Sequence, residues 1–107
     1  MVQVTGVFET QVISESDWIG ASETCQLCSL EFAALKELAE LGLLTARESG
    51  NGWQVPAQAL PRLRIAGALM RDLGLNTSGA ALAVELLEAQ RTLERRIREL
   101  ERLTSGY

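Results

Sequence analysis

The chain contains no histidine among its 107 residues, and only 5% of them are aromatic. Without imidazole it cannot supply a histidine general base, a histidine-containing triad or a histidine metal ligand. It also lacks a glycine-rich phosphate loop. Leucine (18 residues) and alanine (13) make up most of the 47% apolar content, a mixture that favours helix over sheet. We therefore expect a mainly helical, single-domain protein that is not an enzyme and needs no cofactor.

Long apolar runs are also absent. No stretch approaches the roughly 18 consecutive apolar residues of a membrane span. The first residues lack the basic and apolar regions of a signal peptide. These absences predict a cytoplasmic protein with no membrane contact.

Cysteine is scarce, and the two that are present, Cys25 and Cys28, form a C-x-x-C motif. This motif occurs in thioredoxin-like redox proteins, but the sequence after Pro61 is helical in pattern and offers no further strands for such a sheet. Two thiolates also fill only half of a tetrahedral zinc site, unless two chains share it. We expect reduced, mostly buried cysteines on a helix and no metal.

The formal net charge is −4 and is unevenly distributed. Residues 1–31 carry five acids and no base, whereas residues 62–107 carry eight arginines and six acids. Such asymmetry is typical of a partner-binding protein, although ordinary solvated faces would also produce it. An acidic chain repels nucleic acid unless a local basic patch opposes the overall field.

Two segments have the pattern of β structure. Apolar residues alternate over residues 2–12, which predicts a short edge strand. Residues 45–55 contain Asn51-Gly52, the dipeptide preferred in two-residue hairpin turns, and predict a small β-wing. Trp53 and Val55 share a parity and are expected to pack on the helices.

Two short helices are predicted between these segments. The first opens near Ser22, and the second runs from an N-cap at Ser29 to about Leu41 and ends at Gly42. Two short helices joined by a tight turn are typical of a helix-turn-helix. The predicted inward stripe of the second helix consists of Leu30, Ala34, Leu38 and Leu41, widened by Phe32, Leu35 and Ala39.

A third helix is predicted after a short turn between the two prolines. It runs from about Pro61 to Leu73 and ends at Gly74. Its inward stripe consists of Leu60, Leu63, Gly67 and Met70.

A fourth helix, capped within residues 76–78 and reaching about Leu103, would be on the order of 40 Å long. A body of this size cannot bury both ends of it, so we expect dimerisation, the alternative being a helix folded back on its own core. Residues 1–75 are then the body and residues 76–107 the dimerisation helix of one domain. The polar Gln90 would fix the register. The heptad a and d positions are Ala83, Leu86, Gln90, Leu93, Ile97 and Leu100.

This order of elements and several motifs resemble known families. The run Leu41-Gly42-Leu43-Leu44-Thr45-Ala46-Arg47 is similar to the junction between the second helix and the wing in MerR-type proteins. A closer resemblance, over residues 22–103, is to the CbpM family of chaperone modulators. The matching segments are Ala46-Arg47, Trp53, Arg62 to Ala66, Arg71 to Leu75 and Gly79 to Leu87, with Asn76-Thr77 in place of the family's Asp-Trp.

The resemblance implies a MerR-like winged helix-turn-helix that acts on protein. Members of the family bind the J-domain of CbpA, a DnaJ-like co-chaperone, and restrain both its stimulation of DnaK and its binding to DNA. The resemblance therefore implies an inhibitor of a co-chaperone, and the heptad of the fourth helix predicts that it is a homodimer.

The charges of the second helix favour a protein partner independently. Residues 29–41 carry three acids against Lys36 alone, whereas a helix that enters the major groove presents Arg or Lys. An acidic surface could instead bind the basic helix that J-domains present to DnaK. The candidate partner-binding acids are Glu31, Glu37, Glu40, Glu85 and Glu88.

The alternative function is a MerR-type transcription regulator. In that case Arg47 of the wing and Arg62 and Arg64 of the third helix would contact phosphates.

Overall fold

The computed structural model describes residues 17–50 and 52–105, so the strand predicted over residues 2–12 lies outside the described residues. The prediction of a mainly helical chain is confirmed, and a small three-stranded antiparallel sheet accompanies the helices. The elements are β1 (Trp18–Gly20), α1 (Ala21–Cys28), α2 (Phe32–Glu40), β2 (Arg47–Ser49), β3 (Gly52–Pro56), a 3₁₀ turn (Ala57–Ala59), α3 (Leu60–Leu73) and α4 (Thr77–Ser105).

Strand β3 lies between β1 and β2 and pairs antiparallel with both. The predicted hairpin is present, but its turn is one residue earlier than predicted, because Gly52 (φ +105°) already pairs with Ser49. Strand β1 was not predicted. On the face of β3 that meets the helices, Val55 is fully buried and Trp53 is half-buried, as their shared parity predicts.

The turn between α1 and α2 differs from the predicted one, in which Ser29 was the N-cap of α2. Ser29 does not cap α2; it ends α1 in the left-handed conformation (φ 56°), and its backbone N–H donates to the Cys25 carbonyl. Glu31 takes the N-cap position of α2, without a side-chain cap. The C-terminal end is as predicted: Gly42 has a φ of +88°, and its N–H donates to the Ala39 carbonyl at 3.0 Å.

The buried face of α2 differs in part from the predicted stripe. Leu35 and Leu38 are fully buried, and Leu30 packs into the same core just before the helix. Phe32 and Leu41, both assigned to the stripe, are each 46% exposed. A helix of nine residues makes only about two and a half turns, so Leu35 and Leu38 fill its core side, and Phe32 and Leu41 at its two ends lie largely outside the core.

Helix α3 is the centre of the core. Leu60 and Leu63 are buried as predicted, and the helix ends before Gly74. At Gly67 the helix backbone touches α1: a Cβ there would lie 2.2 Å from the Cys28 carbonyl oxygen. Only glycine permits this approach, so the contact sets the distance between α1 and α3.

Helix α4 is one continuous helix of 29 residues. The Asn76 side-chain carbonyl accepts a hydrogen bond from the Gly79 N–H at 2.8 Å, so Asn76 is the N-cap among the three candidates. Ala80, Ala81 and Val84 are buried in the core that α3 shares. None of the helices in the described part of the chain combines the length and apolar character needed to cross a membrane.

Candidate partner-binding surface

The outward face of α2 is acidic, but its three candidate acids are in different situations. The Thr77 hydroxyl donates to Glu37 Oε1 at 2.6 Å, which ties this carboxylate to the start of α4. Glu31 and Glu40 are exposed at the two ends of the helix. Lys36 is the one base between residues 29 and 41, so the face has a net negative charge.

The candidate acids of α4 are also unlike each other. Glu85 is exposed, whereas Glu88 is half-buried and accepts two hydrogen bonds from Arg62 of α3, at 2.7 Å (Nε to Oε2) and 3.0 Å (Nη2 to Oε1). The third donor of Arg62, Nη1, binds the Leu43 carbonyl. This arginine therefore joins α3, α4 and the segment after α2. The Glu88 carboxylate is already paired with a cation of the same chain.

The three arginines proposed for nucleic-acid contact do not form one patch. Arg47 Nε donates to Gln54 Oε1 at 2.8 Å, and its guanidinium lies 4.0 Å from the centroid of the Trp18 ring. Arg62 is held by Glu88. Arg64 is exposed, but at about 100° per residue it lies on a different side of α3 from Arg62.

The predicted dimerisation stripe of α4 is uncovered in the single chain. Leu86, Leu93, Ile97 and Leu100 are each more than half exposed, Gln90 is exposed and Ala83 is half-buried. At about 100° per residue, Leu86 and Leu93 lie nearly opposite Val84, which faces the core. The body of the chain therefore packs on one side of α4, and the leucine stripe faces the other.

The two cysteines lie on helix α1 and are at least partly buried, as predicted. Both are free, Cys28 is buried and Cys25 is half-buried. Burial raises the pKa of the Cys28 thiol to about 11, partly offset by Arg64, and burial also raises the pKa of Cys25. Protonated thiols are poor nucleophiles and poor metal ligands, and the described residues contain no group of three or more Cys, Asp or Glu placed to hold a metal.

One cluster was missed by the sequence analysis. The rings of Phe32 on α2 and Trp53 on β3 meet edge to face, with centroids 5.7 Å apart and planes at 75°. Lys36 Nζ lies 5.8 Å from each centroid, and the Trp53 indole N–H donates to Glu48 Oε2 at 3.2 Å. Phe32 had been assigned to the core stripe of α2, and Trp53 was expected to pack on the helices, but their contact with each other was not predicted. The signal that could have found the cluster is the i, i+4 spacing of Phe32 and Lys36, on a short helix whose core side is already filled by leucines.

Comparison with known proteins agrees with this architecture. The model of a family described as "MerR HTH family regulatory protein" matches residues 19–102, which places the chain in a class of helix-turn-helix regulatory proteins. The chain is also 33% identical over 92 residues to the chaperone modulatory protein CbpM of Coxiella burnetii, in strains Dugway 5J108-111 and RSA 331 / Henzerling II.

That similarity covers 85% of this chain and 87% of the relative. The chain therefore belongs to the CbpM family, as the motif resemblance predicts. Both names denote regulatory or modulatory proteins and not enzymes. No solved structure matches the chain.

Proposed function

We propose that this chain is a non-enzymatic, cytoplasmic chaperone modulator that binds the J-domain of a CbpA-like co-chaperone. Binding would inhibit both the stimulation of DnaK and the DNA binding of that co-chaperone. Its body would be a winged helix-turn-helix, in which α1 and α2 form the helix-turn-helix and the β2–β3 hairpin forms the wing. The CbpM-family relationship supports the chaperone role.

The observation that carries the proposal is the charge of α2. In a DNA-binding helix-turn-helix, this second helix presents cations to base edges and phosphates. Here Glu31 and Glu40 are exposed at its ends and Lys36 is its one base. A net negative helix repels phosphate and attracts the basic helix of a J-domain.

We also propose that the chain acts as a homodimer through α4. Four of the a and d positions form a row of exposed apolar side chains, interrupted by Gln90, on the side opposite Val84: Leu86, Leu93, Ile97 and Leu100. Rows of this size are rare on the surface of a monomer. A second copy of the helix would bury them without moving either body.

The direct test is to titrate the full chain with the purified J-domain of the cognate DnaJ-like co-chaperone and to measure binding by calorimetry. The effect on the J-domain-stimulated ATPase rate of DnaK is measured in parallel. Saturable binding and a fall in J-domain-stimulated ATPase are expected. Absence of binding with the J-domain in excess would reject the proposal.

The charge argument has its own test. Glu31→Lys with Glu40→Lys should weaken J-domain binding by roughly 10-fold, on the order of 1.4 kcal/mol. Glu85→Lys with Glu99→Lys is the matched control, because it makes the same change of charge at two exposed positions on α4. Equal weakening by the control would move the interface to α4, where Glu85 and Glu88 lie.

The alternative, a MerR-type transcription regulator, depends on Arg47, Arg62 and Arg64. Of these three arginines, Arg47 and Arg62 already make hydrogen bonds within the chain, whereas Arg64 is exposed and makes no hydrogen bond or ion pair with the described residues. Electrophoretic mobility shift at low salt distinguishes the two functions. A regulator must bind duplex DNA under these conditions, whereas we expect no shift for the modulator.

A further inference from the structure

The outward face of α2 and the inner edge of the wing form one continuous surface, which we call the α2–wing surface. It consists of Phe32, Lys36 and Glu40 from α2 with Glu48 and Trp53 from the wing. Phe32 is 46% exposed although it lies beside the core. Aromatic side chains that are exposed on one side and packed on the other often contribute most of the binding energy at protein interfaces.

The rings of this surface are fixed by their neighbours. Trp53 contacts Phe32 edge to face, and its indole N–H is held by Glu48 on the adjacent strand. Helix α2 is anchored below by the fully buried Leu35 and Leu38. An aromatic pair ordered before binding loses little side-chain entropy when a partner covers it.

A cleft continues the surface from the rings towards the C-terminal end of α2. Its lining includes Ala39, Glu40 and Trp53. Apolar side chains and a carboxylate therefore line the same groove. An amphipathic helix that places an apolar residue in such a groove can also bring a Lys or Arg to its acidic rim.

We infer that the α2–wing surface is the docking site for a basic amphipathic helix of the J-domain, with Phe32 and Trp53 as apolar anchors and Glu40 and Glu48 as the carboxylates that meet its cations. This inference rests on the proposed function and assigns its binding site. Charge complementarity favours this occupant: the two carboxylates outnumber the single cation, Lys36, so the surface has a net negative charge, which disfavours nucleic acid and a second copy of the same surface. A second copy also has its own uncovered site, the leucine stripe of α4.

The two tryptophans give a direct readout. Trp53 lies on the α2–wing surface, whereas Trp18 lies on the opposite face of the sheet under the Arg47 guanidinium. In a ¹⁵N-labelled sample of the full chain, unlabelled J-domain should shift or broaden the Trp53 indole N–H signal and leave that of Trp18 in place. A shift confined to Trp18 would overturn the assignment.

Affinity provides the second arm of the test. Phe32→Ala removes an exposed ring and should leave the fold intact by circular dichroism, while the Kd for the J-domain should rise at least about 10-fold. Leu103→Ala is the control, because Leu103 is apolar, 68% exposed and lies in the last turn of the long helix α4, outside the a and d positions. Trp53→Phe supplements these variants, because it keeps an aromatic ring in the partly buried position while removing the bond to Glu48.

The outcomes separate this inference from the proposed function. If the wild-type chain fails to bind the J-domain, both are rejected. If it binds and Phe32→Ala binds as tightly as wild type, the proposed function stands and the α2–wing site is wrong. A Trp53 shift on adding duplex DNA at low salt, or a loss of the dimer in Phe32→Ala, would assign the surface to DNA or to a second copy and overturn the inference.

Discussion

Arg62 on α3 and Glu88 on α4 form a two-point ion pair, and the same guanidinium also binds the Leu43 carbonyl after α2. The two residues are 26 positions apart in sequence, and the pair joins α3 to α4 next to the core contacts of Ala81 and Val84. Because their side chains are 32% and 45% exposed, solvent screening limits the value of the charges. The main role of the pair is therefore to link α3, α4 and the Leu43 carbonyl at the place where the two helices meet.

A double-mutant cycle measures that contribution. We expect Arg62→Ala to lower the free energy of unfolding by about 1–2 kcal/mol, because it also leaves the Leu43 carbonyl unpaired. Glu88→Ala should cost about 0.5–1 kcal/mol, and the coupling between the two should be roughly 0.5–1 kcal/mol by urea denaturation. A coupling near zero would show that the pair does not hold α4.

A second prediction concerns the contact between α1 and α3. Gly67→Ala places a methyl group 2.2 Å from the Cys28 carbonyl oxygen, and both partners are backbone, so the helices must move apart. We expect a loss of roughly 2–4 kcal/mol in urea denaturation. Gly20→Ala is the control, because a Cβ at that position meets nothing within 4 Å. An effect of similar size in both variants would contradict the packing explanation.

The sequence predicted the features that depend on neighbouring residues. Helices α3 and α4, the left-handed end of α2 at Gly42 and the hairpin follow from local periodicity and turn chemistry. Ser29 was misassigned because serine is a good N-cap, yet here the backbone needs a left-handed residue to end α1. Strand β1 was missed because three residues are too short to show alternation.

The candidate site was less predictable for a physical reason. The contacts that decide which charges are free join residues far apart in sequence: Arg62 with Glu88 and Thr77 with Glu37. Phe32 is apolar and lies at helical spacing, so periodicity assigns it to the core. Only the packing of Leu35 and Leu38 shows that the core is already filled and that the ring must face outward.

A third prediction tests the stripe of α4. Leu86→Glu with Leu93→Glu places two carboxylates in the proposed dimer interface, and sedimentation should show a monomer that keeps its helical circular dichroism spectrum. Arg91→Glu with Arg98→Glu is the matched control. It introduces the same residue at the same seven-residue spacing, but nearly on the opposite side of the helix.

The control pair should remain dimeric. A dimer that survives the leucine substitutions would place the interface elsewhere on the chain. A monomeric wild-type protein would reject dimerisation itself.

The last prediction follows from the buried thiol of Cys28. Burial raises its pKa to about 11 in the folded state, from 9.0 for an ordinary thiol. Between pH 9 and 11 the folded state therefore keeps the thiol proton that the unfolded state releases. The contribution of this protonated thiol to the free energy of unfolding is complete below pH 9 and is lost as the pH rises towards 11. We expect a fall of about 2–3 kcal/mol in the free energy of unfolding across that interval, measured by urea denaturation. Cys28→Ala should lack this fall in stability, and Cys25→Ala should keep most of it. An equally steep fall in Cys28→Ala would show that other groups cause the pH dependence.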